Sequence, residues 1–101
     1  MAGTYSFNAE LWLYPGEAGW HFITLPAEVA DSIREQTRSH RRGFGSVKVS
    51  AEISGCSWPT SLFPDAGTGS YLLPVKKSVR ARAGIQAGDT VHVVLDVSEE
   101  S

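Results

Sequence analysis

Between Tyr5 and Tyr14 the residues Tyr5, Phe7, Ala9, Leu11 and Leu13 recur at every second position, which puts them on one face of a β-strand and turns Glu10 and Trp12 to the other. Pro15-Gly16-Glu17-Ala18-Gly19 is a turn cluster and Trp20-His21-Phe22-Ile23-Thr24-Leu25 a second β-rich run, so this unit reads as an antiparallel hairpin. The period then changes. Val29, Ala30, Ile33 and Thr37 fall three and four apart and predict a helix with one buried stripe, with Asp31/Arg34 and Glu35/Arg38 as exposed pairs. Pro26 suits the first turn of that helix, where its missing N–H has no intrahelical partner, and Glu28 and Asp31 sit near the positive end of the dipole. The helix is expected to end near Arg38 to His40, and Gly43 and Gly45 break the chain before the next strand.

From Ser46 to Ile53 the alternation is strict: Val47, Val49, Ala51 and Ile53 against Ser46, Lys48, Ser50 and Glu52. Ser54-Gly55 offers a turn, and Cys56 to Phe63 reads as the hairpin partner, with Pro59 confined to an edge or a bulge because it has no N–H to donate. Pro64 to Gly69 reads as a loop and Ser70 to Val75 as a strand. Val75, Val79 and Ala83 predict a short helix stopped by Gly84, and a turn through Ala87-Gly88-Asp89 leads to a last strand, Thr90 to Val97. Leu25-Pro26 and Leu73-Pro74 each end a strand and open a helix, a faint internal echo. The expected fold is mainly β: a small closed barrel of about six strands, with the longer helix after the second strand and the short helix before the last.

At 101 residues, 42% hydrophobic and 20% charged, the chain has the composition of one globular domain spanning 1–101, with Ser98 to Ser101 as a frayed tail. At this length folding buries roughly 65% of the chain's surface, enough for one core. The formal net charge of −2 weighs against a general affinity for nucleic acid, which is built from an excess of cations, but leaves room for a local basic patch. Cys56 is the single cysteine, so no intrachain disulfide is available. No stretch approaches the roughly 20 apolar residues of a spanning helix, and Met1 to Ser6 lacks the features of an export signal. The expectation is a cytoplasmic protein without membrane contact, and a monomer, because a closed barrel leaves no free edge.

The chain resembles the bacterial family catalogued as domain of unknown function 1905. The resemblance runs through Phe7-Asn8-Ala9-Glu10-Leu11-Trp12, Trp20-His21-Phe22, Leu25-Pro26, Arg42-Gly43-Phe44-Gly45-Ser46-Val47, Thr60-Ser61-Leu62-Phe63-Pro64 and Leu73-Pro74-Val75-Lys76-Lys77. It implies a double-split β-barrel, distantly similar in architecture to the AbrB-like regulators, whose dimers bind DNA. It implies no reaction and transfers no catalytic residue.

The residues themselves suggest an anion site. Lys76 and Lys77 are expected in the first turn of the short helix, where cations are disfavoured by roughly 0.3–1 kcal/mol each, with Arg80 one turn further on. Arg41-Arg42-Gly43-Phe44-Gly45 has the glycines and arginines of an anion-cradling loop but matches no phosphate-loop fingerprint. The alternative is that the lysines are simply solvated and the glycines shape a strand entry. Trp12, Trp20 and Phe63, with Ser61 beside them in sequence, are candidate walls for a flat ligand, although most aromatic residues of so short a chain should be core. His21, His40, His92 and Cys56 show no metal-ligand spacing, and neither Cys56 nor Ser61 lies in a nucleophile motif, so no metal, cofactor or catalytic residue is assigned. The first reading is a non-catalytic module that binds a small anionic or amphipathic ligand through Arg41, Arg42, Lys76, Lys77, Arg80, Trp12, Trp20, Ser61 and Phe63. The alternatives are a DNA-binding regulator, by architecture, and an enzyme whose site assembles only in the fold, with Lys76 or Cys56 as nucleophile.

Overall fold

A computed structural model describes residues 3–16, 18–38 and 45–97. Eight elements follow one another: β1 (Gly3–Leu13), β2 (His21–Thr24), α1 (Ala27–Gln36), β3 (Val47–Ile53), β4 (Cys56–Asp65), β5 (Ser70–Pro74), α2 (Lys77–Ala83) and β6 (Thr90–Val97). The strands close into a barrel in the order β1-β2-β5-β4-β3-β6, each pair antiparallel. In β3 every odd-numbered residue is buried and every even-numbered one exposed, as the sequence pattern requires. Ala51 sits in the barrel between Trp58 and Leu95 in register, so the smallest core side chain faces the largest.

Two strands change partners along their length, which makes the barrel double-split. β1 pairs with β6 through residues 3–10 and with β2 through residues 11–13; β4 pairs with β3 through residues 56–62 and with β5 through residues 63–65. Closure therefore does not remove every edge, because residues 3–10 and 56–62 are laddered on one side only. Pro59 lies in the one-sided part of β4, which satisfies its need for an edge. α1 packs beside β1 and β5, and α2 packs against β4.

The second half of the chain repeats the first: a long strand, a short strand, a helix and a strand. The two copies exchange equivalent bonds, the Leu25 N–H to the Tyr71 carbonyl and the Val75 N–H to the His21 carbonyl, both 3.0 Å. Residues related by this exchange are fifty apart, and Gly19 and Gly69 share the left-handed backbone, with φ of +73° and +75°. The Leu-Pro echo does not mark this relation. Pro26 is the N-cap of α1, whereas Pro74 closes β5 opposite Phe22, and the residue equivalent to Pro26 is Lys76, the N-cap of α2.

Other boundaries shift by one or two residues. Pro26 caps α1 rather than entering its first turn, and α1 stops at Gln36, where the hydroxyl of Thr37 donates to the Ile33 carbonyl at 2.8 Å alongside its own N–H. β4 runs on through Pro64 to Asp65, whose carboxylate accepts from the Thr68 hydroxyl at 2.8 Å and shapes the turn to β5. The Asp31–Arg34 and Glu35–Arg38 pairs form as expected, and Gly84 ends α2 with φ of +70°. His40, Arg41, Arg42, Gly43, Phe44 and the tail 98–101 lie outside the described residues.

Candidate functional site

The one-sided edge of β4 forms a wall of an open groove of about 1430 Å³. Trp58, Pro59, Thr60, Ser61 and Phe63 line it from β4, so both faces of that strand contribute, as expected where a strand edge is uncovered. The opposite wall is the end of β5 and the start of α2: Pro74, Val75, Lys76, Lys77 and Arg80. Trp20 and His21 close one end, and Lys48, Ser50 and Asp96 approach from β3 and β6.

The aromatic residues divide into two groups. Trp58 and Tyr71 are core. Trp20 and Phe63 are 57% and 47% exposed, a high value for rings of that size. Among the described residues Trp20 has one ring neighbour: its ring lies parallel to that of Phe22, at 6.0 Å and 6°. Phe22 in turn packs against Trp12 at 5.5 Å and Tyr14 at 6.0 Å. Trp12 is therefore a support and not a wall. It is half-buried, its Nε1 donates to the Thr24 hydroxyl at 2.9 Å, and it does not line the groove.

Four cationic side chains and one carboxylate line the groove, in a chain whose net charge is −2. The positive charge is thus concentrated locally. Lys48, Lys76 and Lys77 are exposed and form no ion pair with a described residue. Arg80 is half-buried and its Nη1 donates to the Val75 carbonyl at 2.9 Å, which ties the guanidinium to the chain entering α2. The helix end contributes less than the sequence suggests. Lys76 is the N-cap and only Lys77 is helical, and seven residues make fewer than two turns of aligned peptide dipoles, so the pull on an anion comes from side-chain charge.

The repeated half shows what this position looks like when filled. The counterpart of Trp20 is Ser70, 6% exposed, whose hydroxyl donates to the Leu25 carbonyl at 2.8 Å. Beside it Arg34 of α1 donates to the Gly69 carbonyl at 2.6 Å and stands over the Tyr71 ring at 5.4 Å. α1 has ten residues and α2 seven, and among the described residues the longer helix reaches over the turn into β5 while the shorter one leaves the equivalent space open.

Of the residues singled out from sequence, the fold brings Trp20, Ser61, Phe63, Lys76, Lys77 and Arg80 to one groove, while Trp12 lies beneath its rim and Arg41 and Arg42 are outside the described residues. Lys48 was overlooked. Its only sequence signal is an outward position in β3, and nothing local tells which outward positions border a split. Cys56 begins β4 opposite Ile53 and does not line the groove. Among the described residues no group of three or more His, Cys, Asp and Glu side chains is placed to hold a metal ion. No described helix is long and apolar enough to cross a membrane.

No curated protein matches the chain. A family model does: residues 7–95, which include all six barrel strands in whole or in large part, both helices and all of the groove's lining but Asp96 and Val97, match the family described as Domain of unknown function (DUF1905), and the chain belongs to that family.

Proposed function

We propose that this protein is a non-catalytic binding module that holds an amphipathic anion in the groove at the β4 split. The observation that carries the reading is the convergence of two exposed rings, Trp20 and Phe63, with Lys48, Lys76, Lys77 and Arg80 on one open cavity. Ligand sites combine apolar walls with a few placed polar groups, and this groove has both. Ser61 and Thr60 add uncharged hydroxyls to the lining. Arg41 and Arg42 belong to the same reading as candidate anion contacts.

The test is a thermal-shift and tryptophan-fluorescence titration with aromatic carboxylates and phosphates, indole-3-acetate among them. A ligand that binds only the folded protein raises its melting temperature, by a stabilisation that grows with the logarithm of ligand excess over Kd. Trp20→Ala and Lys76→Ala should each weaken binding by about tenfold, with far-UV circular dichroism unchanged. Arg42→Ala tests the approach to β3 in the same assay. Unchanged affinity in Trp20→Ala and Lys76→Ala together removes the site.

A further inference from the structure

We propose that the occupant of the groove is a single-stranded nucleic acid, held through its phosphates and stacked through its bases without sequence preference, an inference that rests on the binding reading above.

Size is the first reason. Sites for single small molecules enclose about 300–1,000 Å³, and this groove is open and holds about 1430 Å³, which suits a stretch of chain better than one compact metabolite. The second reason is the pairing of rings with cations. Proteins that bind single strands combine a positive groove following the backbone with aromatic faces on which bases lie. Here one side of the Trp20 ring faces the parallel ring of Phe22 while the residue as a whole stays 57% exposed, and Phe63 offers a second ring from β4. Lys48 approaches from β3, where Asp96 of β6 also lines the groove, and Lys76, Lys77 and Arg80 stand on the opposite wall, so the described lining carries four cations against one carboxylate.

An extended peptide adding a strand to β4 is the competing occupant, and Pro59 argues against it. The proline sits in the one-sided segment 56–62, lines the groove and has no N–H, which is how native edges are blunted against strand addition. Duplex DNA is the other competitor. Its bases are already stacked on one another, so the exposed faces of Trp20 and Phe63 would gain nothing from it.

The experiment is fluorescence anisotropy of the full chain with labelled oligo-dU and oligo-U of about ten nucleotides, which share a base and differ only in the sugar, within the span served by comparable single folds. Titrations run from about 50 to about 200 mM salt, beside a labelled duplex of equal length and a labelled acidic aromatic peptide, with indole-3-acetate followed separately by thermal shift. Binding of either oligonucleotide more tightly than the duplex, weakening with salt, is the expected result, and the tighter of the two names the sugar. Trp20→Ala should cost about 5- to 150-fold with the salt slope retained. Trp20→Phe, which keeps a ring, should recover most of that loss and guards against misfolding of the alanine variant. Replacing Lys76 and Lys77 together by alanine should reduce the slope of log K against log salt by about 1.4, at about 0.7 per phosphate contact.

Equal or tighter binding of the duplex overturns the proposal, as does binding of the peptide without the oligonucleotides. If indole-3-acetate binds and neither oligonucleotide does, the single-strand inference fails and the binding-module reading stands. If no probe binds, both fail.

Discussion

Ser70 and Trp20 occupy equivalent places in the two halves of the chain and have opposite fates. Ser70 is enclosed, and its hydroxyl is the partner of the Leu25 carbonyl. Ser70→Ala should therefore cost about 1–3 kcal/mol, the penalty of leaving a buried carbonyl without its donor. Denaturant unfolding checks this as a drop in the midpoint at constant m-value. Gly84 allows a second prediction. Its φ is +70° and a Cβ there would meet nothing within 4 Å, so Gly84→Ala isolates the backbone cost, about 1–2 kcal/mol. Gly84→Asn should lose less, because asparagine tolerates the left-handed region better. The cap at Gly84 was legible in the sequence because it is a local requirement. That Ser70 is enclosed and Trp20 exposed was not, since their neighbours are set by helices whose reach depends on the fold.

Elements succeed where one periodicity persists. β3 shows strict alternation in sequence and in burial, and of the stripe expected for α1 the helix buries Ala30 and Ile33, with Val29 half-buried and Thr37 buried at the C-cap. Ile33→Ala should cost about 2–5 kcal/mol by opening a cavity under α1, read as a lowered unfolding midpoint. Ala51→Leu tests the opposite limit: the residue is fully buried beside Trp58 and Leu95, and overpacking there should cost about 1–3 kcal/mol. A neutral Ala51→Leu would mean that the barrel interior has slack. The strand through Pro64 was read as loop because proline and the following Asp65-Ala66-Gly67 are turn formers. Pairing of Pro64 with Tyr71 overrides that local preference.

At the scale of the whole molecule, closure joins the two ends of the described chain, with Gly3 opposite Val97 in the β1–β6 ladder. One continuous hydrophobic cluster draws on all six strands and both helices. Unfolding should accordingly be a single transition, with far-UV circular dichroism and tryptophan fluorescence superimposing; two separated transitions would contradict one cooperative core. Deleting β6 should abolish the transition, because β1 loses its partner over residues 3–10 and β3 loses one of its two. Charge also takes its meaning at this scale. The net charge of −2 speaks against indiscriminate polyanion binding, yet four cations gather around one groove. Net charge is a sum over the surface, and a ligand feels the charges within about a Debye length of itself, near 10 Å at ordinary salt.

The sequence by itself determined which residues alternate, where the chain must turn, where each helix is and what ends α2. These follow from periodicity, from glycine's access to positive φ and from proline's missing donor, all interactions within a few residues. It also supplied six residues of the groove's lining as separate signals: two lysines and an arginine, two rings and a serine. Only the tertiary structure decided that these meet, that Lys48 joins them and that Trp12 serves as a support. It decided too that the second split stays open while the first is filled by a longer helix. Those outcomes depend on which strands pair across the barrel and on how far each helix reaches, and such contacts join residues tens of positions apart that no local pattern relates.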